Sequence, residues 1–248
     1  MAAHGAAMEI TPDLSLCLAY SGAPERLHGF LTSLAETADP VAYEAIVVYR
    51  ASLPPPTEIF RAFPAVLFLE ERDEATPAAA LNQALRLAKG RYLSLWADAI
   101  LLRPQTLYRL LVLLDDRPEL GIAAPRLTGT DGAALTNAGP LPSLFRHQPE
   151  GQLPAGQETP IAAASLSDRA LILRREMLDD IGPLDSGFHN AYADADLCRR
   201  ATLGGWRLAL LPAAVAIDTA PLPPLSGAWG DLARFLLRRW LASRAAAW

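Results

Sequence analysis

The stretch TPAAALNQALRLAKGRYLSLWADA (residues 76–99) predicts a helix that leads directly into a buried strand. Thr76 is a favourable N-cap and Pro77 suits the first helical position, where the backbone nitrogen has no partner within the helix. Gly90 is the residue type expected where a helix ends. The apolar run RYLSLW that follows has the length of a buried strand. One carboxylate, Asp98, comes directly after it.

The same alternation extends in both directions along the chain. Strands are predicted at 14–20, 43–49, 65–69, 170–173 and 206–211, and helices at 24–38, 104–117, 174–181 and 229–248. This pattern indicates an α/β fold, Rossmann-like, with a mostly parallel central sheet flanked by helices on both faces. Ligands of such sheets bind beyond the carboxyl ends of the strands, so the loops after Tyr20, Tyr49 and Trp96 are the places to search. Residues 128–160, rich in Gly, Pro, Ser and Thr, form a long loop that is either functional or mobile.

Composition and charge exclude several classes of protein. Hydrophobic residues make up 51% of the 248, and 22 basic against 27 acidic side chains leave a net charge of −5. These values exclude a disordered chain, and without a long basic run they argue against nucleic acid as a partner. Cys17 and Cys198 have no zinc-like spacing and are expected to be buried free thiols. The start of the chain lacks the basic residues of a signal peptide, and no apolar run reaches the roughly 20 residues of a membrane span, so a cytoplasmic protein is predicted.

Acidic side chains near predicted strand and helix ends are the candidate chemical groups. In YADADLCRR (residues 192–200), Asp194 and Asp196 open a helix, where the helix dipole favours carboxylates. One of them is expected to cap the helix, which leaves the other to face solvent or a cleft as a general base. Asp98, alone at a strand end, is either a turn former or a ligand of a hard cation.

Four blocks of the chain, in this order, resemble the family 2 nucleotide-sugar glycosyltransferases of the GT-A fold, the type that builds bacterial surface polysaccharides. The blocks are LAYSGAPERLHGFLTSLAET (18–37), YEAIVVYRAS (43–52), AALNQALRLAKGRYLSLWADAILLRPQTL (79–107) and RALILRREMLDDIGPLD followed by FHNAYADADLCRRATLGGWRLALLPAAVAID (169–218). The resemblance implies one GT-A domain at 10–220, with a nucleotide-binding half (10–127) and an acceptor-side half (128–220). A C-terminal linker and amphipathic helix (221–248) follow.

The resemblance also implies an activity. It is an inverting transferase of the hexosyl- or rhamnosyl-transferring type, moving sugar from a nucleotide-sugar donor to a saccharide or lipid-linked acceptor. Asp194 matches the family's catalytic base, although Ala193 replaces the Glu that usually precedes it. Tyr20 and Asn82 match positions of the nucleotide-binding pocket.

The metal-binding part of the family pattern is altered. The family's DxD motif, which holds Mg²⁺ or Mn²⁺ under the donor diphosphate, aligns with Ala-Asp-Ala at 97–99, so Asp98 is its one remaining carboxylate. Asp218 replaces the late His that completes the metal shell and is a second candidate ligand. Tyr49 replaces the Asp that holds the nucleotide, and it either stacks on the base or fills the strand end. Arg50 after it is a candidate to pair with phosphate where the metal is weak or lost.

Two pairs of interpretations stay open. The chain is either an active transferase or a catalytically degenerate GT-A protein that binds a sugar nucleotide, glycan or partner enzyme without turnover. The basic, Trp-containing helix at 229–248 either packs on the domain or lies on an anionic membrane at the inner face, where a lipid-linked acceptor is found.

Overall fold

The computed structural model of the chain describes residues 11–38, 40–53, 57–73, 75–142, 157–189, 191–220 and 229–245. Its strands are β1 (Leu14–Ala19), β2 (Tyr43–Arg50), β3 (Leu67–Glu71), β4 (Tyr92–Ala97), β5 (Ile100–Leu102), β6 (Leu120–Thr128), β7 (Ala134–Leu135), β8 (Ala138–Gly139), β9 (Ile161–Ala162), β10 (Ser165–Leu166), β11 (Ala170–Arg174) and β12 (Arg207–Asp218). Its helices are α1 (Pro24–Thr37), α2 (Thr57–Ala62), α3 (Pro77–Leu87), α4 (Thr106–Asp116), α5 (Arg175–Ile181), α6 (Ala193–Leu203) and α7 (Trp229–Ala245).

A ten-stranded sheet forms the centre of the described structure. Eight of its strands follow the path β3-β2-β1-β4-β11-β6-β12-β5, and beside this path β7 pairs with β6 and β9 with β12. Its first four strands are parallel, because α1, α2 and α3 carry the chain back across the sheet between them. β11 runs antiparallel to both β4 and β6, whereas β6 and β12 are parallel to each other. The predicted fold class, an α/β fold built on a mostly parallel central sheet, is confirmed.

Apolar layers cover both faces of this sheet, as predicted. On one face, Leu16 of β1 packs in a cluster with Phe30 of α1 and side chains of α4. On the other face, Cys17 packs with Leu197 of α6 and with side chains of α3 and α5. Successive residues of β1 therefore serve opposite layers, as the alternation of a strand requires. Cys17 and Cys198 are buried free thiols, which confirms that prediction.

The helix and strand of residues 76–99 form with one difference from the prediction. Thr76 is the N-cap, and its hydroxyl accepts a hydrogen bond from the Ala79 backbone N at 3.2 Å. The helix ends at Leu87, before Gly90. Gly90 has another purpose: a Cβ there would lie 2.6 Å from the backbone nitrogen of Ser15. Glycine is therefore required where the turn between α3 and β4 passes against β1.

The second half of the sheet is less visible in the sequence. β6 was not predicted, since its sequence LGIAAPRLT combines Gly, Ala and Pro, all weak strand formers. β12 continues seven residues beyond the predicted end, through Pro212 to Asp218. The pairing of β12 with β6 shifts register between Leu211 and Val215, and such an irregularity lets a strand accommodate proline. Short strands β7 and β8 lie within the predicted loop, of which residues 143–156 are outside the described part.

Helix α7 packs on the domain. Leu232 and Phe235 are buried against Phe188 and Tyr192, in the segment that leads into α6. This agrees with the first of the two interpretations of the C-terminal helix. None of the described helices combines the length and the apolar content needed to cross a membrane.

Candidate active site

The carboxyl ends of β1 and β4 lie side by side and define the edge at which a ligand is expected. Asp98, just beyond β4, is buried, and its Oδ2 accepts hydrogen bonds from the Ser21 backbone N (2.8 Å) and Oγ (2.7 Å). Tyr20 follows β1; burial, with the neighbouring charges of Asp98 and Glu25, raises the pKa of its hydroxyl. The structure therefore brings Tyr20 and Asp98 together, and Asp98 fixes the loop that follows β1.

Asp168 and Arg169 lie at the same edge, and neither is among the residues predicted from the sequence. They precede β11, and because β11 is antiparallel to β4 its beginning lies beside the end of β4. The backbone N of Ala97 donates to the carbonyl O of Arg169 at 3.0 Å. The predicted strand at 170–173 was the available signal. A strand's direction in the sheet decides which of its ends faces a ligand, and the residues alone did not reveal that direction.

Asp194 lies in the first turn of α6, next to Asp168. Its Oδ1 accepts a hydrogen bond from the Ala195 N at 2.7 Å, and its Oδ2 accepts one from the Asp168 N at 3.3 Å. The residue before the helix, Tyr192, has a φ of 69°, a left-handed conformation that costs energy for a residue with a large side chain. The buried Tyr192 ring stacks on Phe235 of α7 at 6.2 Å between centroids, which holds the turn in place.

The two carboxylates of this site affect each other's protonation. Burial, and then the negative charge of Asp168, raise the pKa of Asp194 to about 7. Burial also raises the pKa of Asp168, although the adjacent Arg169 acts in the opposite direction. A carboxylate that takes up and releases a proton near neutral pH is suited to general-base work. Asp194 meets this requirement.

Asp196, the other carboxylate of the YADAD segment, is bonded to arginines inside the protein. It is fully buried, and its oxygens bind Arg199 at 3.1 Å and Arg200 at 2.7 Å. Arg200 also donates to the carbonyl oxygens of Ile181 and Gly182, so this network ties α6 to the end of α5. The expectation that one of the two acidic residues caps α6 is wrong, because the N-cap is Tyr192 and no side chain caps the helix. Asp196 is instead bonded within the fold, and Asp194 is the candidate base.

Asp218 ends β12 and forms a buried ion pair with Arg169. The guanidinium donates through Nε to Oδ2 and through Nη2 to Oδ1 of the carboxylate. The Ala220 backbone N adds a third hydrogen bond to Oδ1, at 3.1 Å. The Asp218 side chain is fully buried and 13% of the Arg169 side chain is exposed. Both carboxylate oxygens of Asp218 are thus bonded to protein donors.

The residues at this edge do not fit a divalent cation. Mg²⁺ and the similar Mn²⁺ require several oxygen ligands, with carboxylates supplying the charge. The charge of Asp218 is neutralised by Arg169, and one oxygen of Asp98 accepts two hydrogen bonds from Ser21. Positions 97 and 99 are alanine. In the described part of the chain, no three His, Cys, Asp or Glu side chains are grouped so that they could hold a metal ion.

The remaining predicted nucleotide-binding residues are spread more widely. Tyr49, at the end of β2, donates its hydroxyl to Glu70 at 3.2 Å, and the exposed Arg50 follows it. Asn82 on α3 is buried, and its amide both donates to the Leu184 carbonyl O (2.8 Å) and accepts from the Leu184 N (3.0 Å). Asn82 therefore attaches α3 to the segment after α5, while Tyr49 and Arg50 remain at the strand end where a nucleotide is expected.

Helix α7 holds the segment that leads to Asp194. Asp231 accepts hydrogen bonds from the backbone nitrogens of His189 and Ala191, both at 3.0 Å. Asp185 forms ion pairs with Arg234 and Arg238 of α7, each at 2.9 Å. These bonds define the approach to the left-handed turn, and so α7 positions the candidate base.

Three solved structures share this architecture. TarS of S. aureus, in complex with UDP-GlcNAc, superposes with a TM-score of 0.67 at 17% identity, over 90% of this chain and 64% of that one. GalNAc-T7 with UDP, GalNAc and Mn²⁺ gives 0.69 at 14% identity, over 86% and 45%. Mannosyltransferase PcManGT from Pyrobaculum calidifontis, with GDP-Man and Mn²⁺, gives 0.61 at 16%, over 86% and 58%. The chain has the GT-A fold.

The likeness is one of structure. No protein-family model matches the chain, and no curated protein sequence matches it. The chain spans less than two thirds of the length of each of the three solved structures.

Proposed function

We propose that the chain is an inverting glycosyltransferase that moves a sugar from a nucleotide-sugar donor to a hydroxyl of a saccharide or lipid-linked acceptor. The observation that carries this proposal is the place of Asp194. It lies at the ligand-binding edge of a GT-A sheet, at a helix start and beside a second carboxylate, and burial together with the charge of Asp168 raises its pKa to about 7.

The chemistry follows from that position. The Asp194 carboxylate removes the proton of the acceptor hydroxyl as the oxygen attacks the anomeric carbon from the side opposite the diphosphate. The new bond joins the acceptor oxygen to the sugar, the bond between sugar and diphosphate breaks, and its electron pair leaves with the phosphate oxygen. Because the backbone nitrogens of Ala195 and Asp168 hold both carboxylate oxygens, the base keeps one orientation during the reaction.

The donor is proposed to bind across the ends of β1 and β2. The three structural neighbours were solved with UDP-GlcNAc, with UDP and GalNAc, or with GDP-Man, which supports a sugar nucleotide in this place. Tyr20, Tyr49 and Arg50 are proposed to contact the nucleotide at these strand ends. Asn82 is bonded to the Leu184 backbone instead, and its proposed contribution is to hold α3 beside the segment that leads to Asp194. The acceptor is proposed to bind on the side supplied by the half at 128–220, whose described residues include Asp194.

A peripheral membrane contact through α7 belongs to the same proposal. Leu237 and Leu241 are each more than half exposed on this helix, at 56% and 51%, on the side away from its buried residues. Because Arg234 and Arg238 of this helix form ion pairs with Asp185, the proposed contact is assigned to these two leucines. Co-sedimentation with vesicles containing anionic lipid tests the contact: binding that is lost in a Leu237→Ser/Leu241→Ser variant supports it, and no binding by the unchanged protein refutes it.

Donor cleavage tests the activity. The protein is incubated with UDP-, dTDP- and GDP-linked sugars, and release of the nucleoside diphosphate is measured with and without oligosaccharide acceptors. The Asp194→Asn variant is expected to lose transfer, whereas Asp179→Asn, on the exposed face of α5, serves as the matched control. Transfer by Asp194→Asn at the rate of the unchanged protein would refute the role of Asp194.

The alternative is a GT-A protein that binds a sugar nucleotide without turnover. The observation that favours it is the altered acidic pattern, since positions 97, 99 and 193 are alanine and the Asp218 carboxylate is bonded to Arg169. Tight donor binding with no cleavage in the same experiment would establish this alternative.

A further inference from the structure

Arg169 lies beside residues 97–99, the segment that aligns with the metal-binding DxD motif of the resembled family. The backbone of Arg169 is bonded to Ala97, on one side of the 97–99 segment. Asp218 pairs with Ile100, and Thr219 binds the Ala99 carbonyl, on the other side of that segment. The ion pair between Arg169 and Asp218 therefore joins the two sides of this segment, in which positions 97 and 99 are alanine and supply no carboxylate.

The Arg169 side chain is held as a fixed cation. A guanidinium carries five N–H donors in a planar fork, and Asp218 engages the Nε and one side of Nη2. Among the described residues, Nη1 makes no hydrogen bond, and part of the side chain stays exposed. The donors that remain are charged and fixed in place, in a geometry that matches two phosphate oxygens.

We propose that Arg169, held by Asp218, binds the donor diphosphate in the place of a divalent cation, so that sugar transfer by this chain needs no metal. The inference rests on the proposed function. When the bond from the anomeric carbon to the diphosphate oxygen breaks, the electron pair remains on that oxygen, and the N–H groups of Arg169 donate hydrogen bonds to it. No proton moves at this residue, because a guanidinium stays charged at every relevant pH.

Arg169 fits this role better than Arg50, which the sequence suggested. Arg50 is exposed at the end of β2, and no carboxylate fixes its guanidinium in the described structure. Arg169 is mostly buried, and Asp218 holds its guanidinium by two hydrogen bonds. It directly precedes β11, beside the end of β4, and its neighbour Asp168 is bonded to the candidate base Asp194. One dipeptide, Asp168-Arg169, therefore reaches both the proton-accepting side and the leaving-group side of the reaction.

Nucleotide binding measured by calorimetry tests the proposal apart from catalysis. UDP, dTDP and GDP are titrated into the unchanged protein with EDTA and then with Mn²⁺, and the monophosphate of the best ligand follows. Because Arg169→Met alone leaves a buried unpaired carboxylate, the main variant is Arg169→Met/Asp218→Asn, which removes both charges and keeps the Ala220 hydrogen bond. Arg207→Met is the matched control, since Arg207 is an exposed arginine at the opposite end of β12.

The expected result is diphosphate binding that EDTA and Mn²⁺ leave unchanged. The double variant should then bind the diphosphate about ten- to hundredfold more weakly, the range for lost hydrogen bonds to a charged group. It should lose less affinity for the monophosphate, which lacks the phosphate bonded to the sugar. A merely structural ion pair would weaken both ligands equally or neither, and either pattern would overturn the inference.

Two other outcomes separate this inference from the proposed function. Binding of a diphosphate that requires Mn²⁺ and survives in the double variant would overturn the role of Arg169 while keeping a glycosyltransferase. Failure of the unchanged protein to bind any of the three diphosphates would overturn both.

Discussion

Replacing Asp194 with Asn is expected to stabilise the folded protein above neutral pH, although it removes the proposed catalytic base. The carboxylate releases its proton near 3.8 in the unfolded chain and at about 7 in the folded protein. Between these values the folded state holds a proton that the unfolded state has released, so the free energy of unfolding falls as pH rises toward 7. An amide has no proton to lose in this range, and the variant escapes the penalty.

The size of the effect follows from the same pKa difference. Each tenfold change in proton affinity is worth about 1.4 kcal/mol, so the rise from 3.8 to about 7 costs the charged form about 4 kcal/mol. The Asn oxygen can accept only one of the two backbone hydrogen bonds, from Ala195 or Asp168, and the lost bond costs about 1 kcal/mol. The net gain at pH 8 is therefore about 3 kcal/mol, and at pH 5 the two proteins should differ by about 1 kcal/mol or less.

Urea unfolding followed by circular dichroism at pH 5 and pH 8 measures this difference. The unchanged protein and the exposed-site control Asp179→Asn should both lose stability between the two pH values, and Asp194→Asn should lose much less. If Asp194→Asn loses as much stability as the unchanged protein, Asp194 does not carry the raised pKa, and the assignment of the base by its environment is wrong.

Further predictions address the charge pair, the fold and the buried network. The rate of donor cleavage should rise with pH and reach half its maximum near pH 7. Because the charge of Asp168 raises the pKa of Asp194, Asp168→Asn should move that midpoint to lower pH, and an unmoved pH–rate profile would contradict this. Gly90→Ala should lower the free energy of unfolding by about 1–3 kcal/mol because its Cβ meets β1, while Gly230→Ala in α7, with nothing within 4 Å, should not destabilise, as urea denaturation will show. Asp196→Ala should cost about 3–5 kcal/mol, since it leaves the arginines that it binds without their buried partner; a thermal midpoint equal to that of the unchanged protein would refute this.

The parallel half of the fold could be predicted because its signals are local. The cap at Thr76, the apolar runs of β1, β2 and β4, and the positions of α1 and α3 follow from neighbouring residues, whereas the short α2 was not predicted. β6 could not be predicted in this way, because its weak strand formers are held in place by β11 and β12, which come much later in the chain.

In the candidate site, too, some residues could be identified from local sequence and others depend on distant parts of the chain. Asp194 and Asp98 lie at element ends that the sequence marks, and each was identified as a candidate. Asp168 and Arg169 depend on the direction of β11 in the sheet, and the partner that fixes Arg169 is 49 residues away at Asp218. A local pattern contains neither the direction nor the pairing.

A crystal structure with a bound nucleoside diphosphate would show whether Arg169 takes the place of a metal ion beside Asp194. We expect a diphosphate at the ends of β1 and β4, with a phosphate oxygen within hydrogen-bond distance of Nη1 of Arg169 and the Asp194 carboxylate facing the place of the sugar. A diphosphate bound away from this edge, or held there by a metal ion on Asp98 and Asp218, would contradict it.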